Sequence, residues 1–511
     1  MIRVTVKEDL VRRSLVLLVA FLTTLLSPTL LGTPAAFAAG STTSYQTIAG
    51  VGGTPMKAFV IQPTGWGNGP FPLLVMPSSW AVNNIEYVGA AAKLAKESGY
   101  VVVSYTSRGF WDSGGEIDIA GPDTVGDVSK IIDWAVANAH ADATKVGAAG
   151  ISYGAGISLL AAAADPRIKA VAAMSTWTDL ARSLYPNETV NKQAVDVLLT
   201  AADLTGKPGP VLKEAKAAYN AGRFHEVLPI SAGRSAASKV AQLNANHTAV
   251  MLGNAWNDGI FAPGQIADFY TQLSGPKRLM LSPGDHATAE LFGAAGLPND
   301  IWESAGRWFN RHLKGEANGI DAEPAVRLKP NNGGDWRTYQ AWPSGTGDTV
   351  SLDGKKIWAG WPTVADSGTV LLSGAMQGFF NIPTGVALPF VDRNVAGVWT
   401  GPSYPNGATL AGTPRLNVTV TPSAEKTSLF AYLYEVGPLG LGALVTHRAF
   451  TVTGASITRN LDIQLEPTVW NVAPGNKLVL VIDTVDPRYL SQSTLGSTVA
   501  FGPSTLTVPR A

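Results

Sequence analysis

The chain has 511 residues, of which 46% are hydrophobic and 15% charged, so it can bury large cores over two to four domains and is not a disordered tail. Lysine and arginine together number 38, as do aspartate and glutamate, and this balance argues against a nucleic-acid-binding protein, which needs excess cationic side chains to displace counterions from phosphates. The absence of cysteine excludes disulfides, thiolate metal sites and a cysteine nucleophile.

Residues 1–38 have the pattern of an export signal. Lys7, Arg12 and Arg13 precede an apolar run over 15–31, and Ala36-Phe37-Ala38 supplies the small-x-small pattern of a cleavage site. The apolar run is short for a bilayer-spanning helix, which favours a cleaved signal over a retained anchor. We therefore expect a mature protein that is secreted or cell-wall associated, with no membrane contact after cleavage.

Residues 39–320 have the pattern of an α/β domain. Short β-rich runs alternate there with helical periods, which indicates βαβ units and a mainly parallel sheet. The predicted strands are Met56–Ile61, Leu73–Met76, Val101–Tyr105, Val146–Ala149, Ala170–Met174, Ala249–Leu252 and Arg278–Leu281. Residues 177–247 interrupt this alternation with polar, helix-prone segments, and we interpret them as a helical cap inserted over the sheet.

Residues 321–511 have the pattern of an all-β domain. Beyond Ala322 the helical period disappears, and short alternating runs are separated by Gly, Pro, Asn and Ser. This spacing predicts an antiparallel β-sandwich or jelly roll. The predicted strands are Thr349–Leu352, Val370–Leu372, Arg415–Val420, Ser428–Glu435, Ala449–Thr453, Ile457–Ile463, Lys477–Asp483 and Thr498–Phe501.

A G-x-S-x-G motif at residues 150–154 marks the candidate nucleophile, Ser152. A predicted strand ends at the motif and a small-residue helix begins just after it, so the serine is expected on a strained strand-to-helix turn. A serine hydroxyl needs a base to remove its proton, and the usual base is a histidine held by a carboxylate.

In a doubly wound hydrolase the serine is followed in the chain by an aspartate or glutamate and then by a histidine, each in a loop after a strand. His286 is the candidate base, because it is the only one of the six histidines that lies after Ser152 and directly follows a buried-type strand. Asp258, in the loop after the strand Ala249–Leu252, is the candidate carboxylate. Asp285 is the second choice, since a side chain adjacent to the base points away from the imidazole. No spacing of His, Asp and Glu suggests a metal site, and no cofactor is expected.

Acyl transfer also needs two hydrogen-bond donors for the oxyanion. One is expected to be the backbone N–H of Tyr153, immediately after the nucleophile. The other is expected from the loop that follows the strand Leu73–Met76, in the region of Ser79 or Trp80.

These residues resemble a known family, the X-Pro dipeptidyl-peptidases and cocaine-esterase-like acyl hydrolases. The resemblance rests on the motif at 150–154, on the stretch Ser107-Arg108-Gly109…Ser113-Gly114-Gly115 and on the loops at Asp258 and His286. In the second half, Trp336…Trp342-Pro343 and Leu429-Phe430-Ala431-Tyr432-Leu433-Tyr434 are similar to the family's C-terminal jelly-roll domain.

The resemblance implies an α/β-hydrolase catalytic domain with a helical cap, followed by a non-catalytic jelly-roll domain, and the roles of Ser152, Asp258 and His286 carry over. The sequence departs from the family at the oxyanion hole, where a tyrosine hydroxyl is common but Ser78-Ser79-Trp80 stands here. The chain is also shorter than many relatives, mostly in the cap, so substrate does not transfer by analogy.

The sequence therefore predicts a serine hydrolase that forms an acyl-enzyme on a small-molecule ester or short peptide. An acyl esterase is favoured, because no acidic cluster that would hold a peptide's free amine is evident. Carboxylates in residues 177–247 could still supply such a partner; they are Asp179, Glu188, Asp196, Asp203, Glu214 and Glu226. The alternatives are an X-Pro dipeptidyl-peptidase, an acyltransferase, and a non-catalytic protein that binds glycan or cell wall through exposed aromatic residues such as Trp470 or Tyr489.

Overall fold

The computed structural model describes residues 40–511, and the predicted export signal lies outside the described residues. The first half is built on one ten-stranded sheet. Its strands are β1 (Ser41–Ala49), β2 (Pro55–Pro63), β3 (Phe71–Pro77), β4 (Val101–Tyr105), β5 (Ala141–Ile151), β6 (Ile168–Met174), β7 (Ala249–Ala255), β8 (Lys277–Ser282), β9 (Val326–Leu328) and β10 (Arg337–Tyr339).

The strand order of this sheet is β1-β2-β4-β3-β5-β6-β7-β8-β9-β10. Pairing is parallel from β4 to β9 and antiparallel at the two edges, where β1, β2 and β10 lie. The central strands are buried on both faces, which explains why they are continuous hydrophobic runs in the sequence. The fold class predicted for this half is confirmed.

Helices cover both faces of the sheet and the end where the parallel strands finish. They are α1 (Val88–Ser98), α2 (Pro122–Asn138), α3 (Tyr153–Ala164), α4 (Leu180–Leu184), α5 (Lys192–Thr205), α6 (Pro210–Asn220), α7 (Leu228–Ala232), α8 (Val240–Ala245), α9 (Gly264–Gln272), α10 (Leu291–Ala294) and α11 (Asp300–Lys314). One hydrophobic core includes Ile131 and Ile132 of α2, and the opposite core includes Ile301 and Phe309 of α11.

Helices α4 to α8 all lie between β6 and β7, in the segment interpreted as a cap. Asn191 begins α5 by accepting a hydrogen bond from the N–H of Ala194, and Pro210 occupies the first turn of α6, where its missing N–H costs nothing.

The second half contains two main antiparallel sheets that pack face to face. Their strands, with those of a smaller two-stranded ladder, are β11 (Gly347–Leu352), β12 (Lys355–Trp358), β13 (Gly385–Ala387), β14 (Gly397–Ser403), β15 (Ala408–Gly412), β16 (Arg415–Pro422), β17 (Lys426–Val436), β18 (Leu441–Thr453), β19 (Arg459–Gln464), β20 (Thr468–Val472), β21 (Lys477–Asp483), β22 (Thr498–Phe501) and β23 (Ser504–Pro509). Alternate residues such as Leu429, Ala431 and Leu433 form the core between the sheets. This half is the all-β domain that the sequence predicts.

Three details of the second half differ from the sequence pattern. Strands β9 and β10 extend the first sheet beyond residue 320, where the domain boundary was expected. Val370–Leu372 forms no strand, because the N–H of Val370 donates instead to the Gln193 side chain of the cap. A helix, α12 (Ser373–Phe380), follows at once and packs on the first domain.

The aromatic residues considered for glycan binding do not form an exposed surface. Trp470 is 1% exposed, and its indole N–H donates to Glu435 over 2.6 Å. Tyr489 is partly buried and stacks on Phe430, with ring centroids 5.6 Å apart. Within residues 40–511, no helix combines the length and apolar character needed to cross a membrane.

Candidate active site

Ser152 lies on a sharp turn between β5 and α3. Its backbone has φ 54° and ψ −118°, a conformation that costs energy for a residue with a side chain. The flanking glycines make the turn possible, because a Cβ on Gly150 would lie 2.5 Å from the backbone of Gly154, and a Cβ on Gly154 would lie 2.0 Å from the carbonyl oxygen of Pro77. The motif thus holds the serine hydroxyl above the carboxyl end of the sheet, at the N-terminus of α3.

His286 and Asp258 meet Ser152 at the same end of the sheet. Nε2 of His286 lies 2.8 Å from the Ser152 Oγ, and Nδ1 lies 2.9 Å from Oδ2 of Asp258. A carboxylate only accepts hydrogen bonds, so Nδ1 carries the proton and Nε2 is left to accept from the serine. The structure therefore brings together all three residues selected from the sequence, in a continuous hydrogen-bond chain.

Backbone donors fix Asp258 in this orientation. Its Oδ1 accepts the N–H groups of Ile260 at 2.9 Å and Phe261 at 2.7 Å, while Oδ2 faces the imidazole. The ring of Phe261 packs edge-on against that of His286, with centroids 5.2 Å apart. The carboxylate and the imidazole thus have little freedom to rotate out of line.

Asp285, the second choice for the carboxylate, bonds to the backbone of the two site loops and not to the imidazole ring of His286. Its Oδ1 accepts the backbone N–H groups of Gly259 and His286, both at 2.8 Å, and it makes no hydrogen bond to the imidazole ring. It is fully buried and links the loop that carries Asp258 to the loop that carries His286. Asp285 is therefore placed to support the two loops and not to orient the base.

The surroundings of His286 favour its protonated form. Burial lowers the pKa of His286, whereas the charge of Asp258 and the hydrogen bond to it raise the pKa, and the net value lies above the ordinary 6.5. Asp285 and Glu290 add smaller contributions in the same direction. A raised histidine pKa makes the ring a stronger base for the serine proton.

Two buried glutamates close to the site had no signal in the sequence. Burial raises the pKa of Glu86 to about 7 and that of Glu290 to about 7. Glu290 accepts a hydrogen bond from the Ser175 hydroxyl, and Ser175 in turn accepts the N–H of Ala287, next to His286. Each glutamate lies a few residues after a loop of the candidate site, Glu86 after Trp80 and Glu290 after His286. Glutamates near loops are common on protein surfaces, so only their burial in the structure distinguishes these two from ordinary surface residues.

The candidate oxyanion donors are the backbone N–H of Tyr153, next to the serine in the chain, and that of Ser79 or Trp80. Neither the backbone N–H of Tyr153 nor that of Trp80 donates to another group among residues 40–511. Ser79 is different, because its N–H donates to Glu86 over 2.7 Å and its hydroxyl lies 2.5 Å from the same carboxylate. Of the two residues expected in this loop, Trp80 is thus the one with a free backbone donor, and Glu86 holds the loop through Ser79.

A cavity of about 180 Å³ opens beside Ser152, between the sheet and the cap. Near the serine its wall is aromatic: the Trp80 and Tyr153 rings lie 5.0 Å apart, and Tyr153 stacks on Trp177 at 6.0 Å.

Arg108, in the stretch at 107–115 that resembles the family, does not face the cavity. It is buried and forms a two-point ion pair with Asp127, at 2.6 and 2.9 Å, which is a structural role.

A serine on a strained strand-to-helix turn, followed in the chain by an aspartate and a histidine at the ends of later strands of a mainly parallel sheet, defines the α/β-hydrolase class. Comparison with known proteins gives the family. A family model for the X-Pro dipeptidyl-peptidase (S15 family) matches residues 52–288, and a model for the X-Pro dipeptidyl-peptidase C-terminal non-catalytic domain matches residues 318–500. The chain belongs to this family of serine hydrolases, and the resemblance seen in the sequence is confirmed.

Solved structures that resemble the chain have the same two-domain fold. An alpha-amino acid ester hydrolase aligns with a TM-score of 0.73 at 14% identity, over 93% of this chain and 97% of that one. An aminopeptidase from a marine sediment Thaumarchaeota archaeon gives 0.70 at 14% identity, over 92% and 96%, and a CocE/NonD family hydrolase from Staphylococcus aureus gives 0.69 at 14%, over 94% and 98%. At this identity the likeness shows the fold alone.

Among curated proteins, the uncharacterized protein YcjY of Escherichia coli (strain K12) is 37% identical over 89 residues. That match covers 17% of this chain and 29% of YcjY, so the chain matches less than a third of the length of this relative.

Proposed function

We propose that the protein is an exported acyl esterase in which Ser152, His286 and Asp258 act as a catalytic triad. The Ser152 Oγ attacks the ester carbonyl while Nε2 of His286 takes its proton. The tetrahedral intermediate collapses, His286 returns the proton to the departing alkoxide, and the acyl group remains on Ser152. Water, deprotonated by the same histidine, then attacks the acyl-enzyme and releases the acid and the free serine.

The observation that carries this proposal is the hydrogen-bond chain from Asp258 through His286 to Ser152, with distances of 2.9 and 2.8 Å. These distances are within the range required for proton transfer between nucleophile and base. The free N–H groups of Tyr153 and Trp80 support the same reaction, since a developing oxyanion needs two such donors.

Ester substrates are favoured over Xaa-Pro peptides by the charges of the cap. A dipeptidyl-peptidase must recognise the free ammonium group of its substrate, for which an acidic side chain near the nucleophile is the natural partner. None of the cap carboxylates considered for this role lines the cavity beside Ser152; they are Asp179, Glu188, Asp196, Asp203, Glu214 and Glu226. Several are engaged elsewhere: Asp196 pairs with Lys192, Asp203 with Lys216 and Glu226 with Arg223.

The test compares p-nitrophenyl butyrate with glycyl-prolyl-p-nitroanilide on the purified mature protein and on Ser152→Ala. We expect ester turnover that the substitution abolishes, with turnover of the anilide at least 100-fold slower. Cleavage of the anilide with no reaction of the ester would reverse the assignment to a dipeptidyl-peptidase.

Export is proposed from the sequence of residues 1–38 alone. The test is N-terminal sequencing of the protein from the culture medium of an expressing host, where we expect the chain to begin at Ala39. A chain that stays in the cells with residues 1–38 attached would contradict export.

A further inference from the structure

The cavity beside Ser152 has an almost wholly apolar wall. Its aliphatic part comes from helical faces of the cap, such as Val195, Leu198 and Leu199 of α5, which share one side of that helix. On α6 the spacing of Leu212, Ala215 and Tyr219 likewise places three residues on the face that lines the cavity. No charged side chain lines this cavity.

Most polar atoms of the lining side chains are bonded within the wall. The Trp80 indole N–H donates to the carbonyl of Leu198 at 2.9 Å, and that of Trp177 donates to the carbonyl of Arg234 at 2.6 Å. The hydroxyls of Tyr219 and Ser231 donate to Asp196 and to the carbonyl of Leu228, and the Tyr153 hydroxyl accepts the N–H of Ala120. Ser152 bonds to His286, and only the Tyr185 hydroxyl among the lining side chains has no hydrogen-bond partner within the described residues 40–511. A neutral hydroxyl cannot replace the hydration of a charged group, so placing a charge there is costly.

The position of the cavity shows which half of an ester it would hold. Ser152 and Tyr153 line the cavity, but His286 does not. The leaving alkoxide must depart beside Nε2 of His286, which returns the proton to it. A group in the cavity is therefore the acyl group, which stays on Ser152 after the alcohol has left.

The volume limits the size of that group. A cavity of about 150 Å³ in another protein is known to hold benzene, so about 180 Å³ corresponds to an acyl group of about six to ten carbon atoms.

We propose that the cap cavity is an acyl-binding pocket that selects uncharged acyl groups of about six to ten carbons and excludes acyl groups with a charged α-amino substituent. This inference rests on the proposed ester hydrolysis. The pocket gives the enzyme a substrate class different from that of a dipeptidyl-peptidase.

The experiment measures kcat/KM of the purified full-length mature protein for p-nitrophenyl esters of the C2, C4, C6, C8, C10 and C16 acids. We expect kcat/KM to rise about fourfold per methylene group, as complete burial of each methylene would give, and to reach a maximum between C6 and C10. The ratio of C8 to C2 should exceed 100. A profile that is flat, or that falls from C2 onward, would overturn the inference.

A matched pair of variants on α6 locates the effect in the cavity. Ala215→Phe fills part of the pocket and should lower the C8-to-C2 ratio at least tenfold. Ala217→Phe places the same ring on the exposed side of the same helix and should keep the wild-type ratio. Circular dichroism and labelling by a small fluorophosphonate show that each variant is folded with a reactive serine. Equal C8-to-C2 ratios in the two variants would contradict an acyl pocket at this place.

Exclusion of charge is tested with p-nitrophenyl 3-phenylpropanoate and p-nitrophenyl phenylalaninate, which differ only by the α-amino group. We expect at least a 100-fold preference for the uncharged ester at pH 6, and equal rates would contradict the inference.

Fluorophosphonate labelling distinguishes failure of the acyl-binding pocket from failure of the proposed ester hydrolysis. A labelled enzyme without chain-length preference refutes the pocket alone, whereas an unlabelled folded protein that turns over no ester refutes the proposed function.

Discussion

Gly374 donates its backbone N–H to Oδ2 of Asp285 over 3.2 Å, and this contact joins the β domain to the loop that carries His286. The other oxygen of Asp285 holds the backbone of Gly259 and of His286. Gly378, one turn further along α12, also packs closely, since a Cβ there would lie 2.7 Å from the Cα of Gly284. The second domain is thus in direct contact with the loop backbone that carries His286.

Gly374→Ala should weaken this contact. The added Cβ would lie 2.8 Å from the Asp285 side chain and from the carbonyl oxygen of Gly284, so the helix or the loop must move. We expect a loss of about 1–3 kcal/mol in the free energy of unfolding, and a fall in kcat of about tenfold with a smaller change in KM. Denaturant titration and ester kinetics measure the two effects.

Gly233→Ala is the matched control, because no atom lies within 4 Å of a Cβ at that position. It should keep wild-type stability and kcat. If Gly374→Ala behaves like this control, the contact between α12 and the loop has no influence on the site.

Asp258→Asn should lower kcat by about 10³- to 10⁴-fold while leaving the fold intact. In Asp258 one carboxylate oxygen accepts from Ile260 and Phe261 and the other accepts from Nδ1 of His286. The asparagine amide has only one oxygen that accepts, so either the two backbone N–H groups or the Nδ1 proton must lose its partner. Ester kinetics and circular dichroism check this result. A variant with more than a tenth of wild-type kcat would show that another group orients the base.

The pH dependence of activity should follow His286. The imidazole must be neutral to accept the serine proton, and its pKa is raised above 6.5 by Asp258 in spite of burial. We expect kcat/KM to be low at acid pH and to increase with a midpoint above 6.5. Substitution of the exposed His140 by glutamine should not move that midpoint, and a midpoint below 6.5 in the wild type would contradict the electrostatic account.

The stability of the protein should depend on pH through Glu86. Burial raises its folded-state pKa from 4.5 to about 7, so the folded state holds a proton that the unfolded chain has lost at neutral pH. The stabilising effect is complete below pH 4.5 and is lost as the pH rises through 7, by about 3 kcal/mol at most. Glu86→Gln should therefore lose less stability between pH 5 and pH 8 than the wild type does.

Glu97→Gln, an exposed substitution on α1, is the control for this titration and should keep the wild-type slope. Urea unfolding at pH 5, 6, 7 and 8 gives the slopes. Parallel slopes for wild type and Glu86→Gln would show that Glu86 is ionised throughout this range.

The sequence was sufficient to predict the α/β and all-β halves, because buried parallel strands and alternating antiparallel strands have different hydrophobic patterns. Ser152, Asp258 and His286 could be selected because each follows a predicted strand, and the carboxyl ends of parallel strands meet at one edge of the sheet. The short segment Val370–Leu372 has a strand-like composition, but a contact with Gln193 decides its conformation. Local composition holds no information about such a contact.

The contacts that support the candidate site could not be predicted from the sequence for the same reason. The contact from Gly374 to Asp285 uses a backbone N–H, which every residue except proline possesses. Glu86 and Glu290 are functional candidates only because they are buried beside the site. The apolar cavity depends on how α5 and α6 pack together, and their sequences alone predict amphipathic helices with no indication of a pocket between them.

The most direct test of the account is covalent labelling of Ser152. The purified mature protein, Ser152→Ala and Ser158→Ala are incubated with a small fluorophosphonate and analysed by intact mass spectrometry and peptide mapping. Ser158 is a buried serine of the same helix, and its hydroxyl donates to the carbonyl of Gly154 over 2.7 Å. We predict one adduct on Ser152 in the wild type and in Ser158→Ala, and none in Ser152→Ala. A folded wild-type protein that takes up no label, or the same label on Ser152→Ala, would contradict the assignment of Ser152 as the nucleophile.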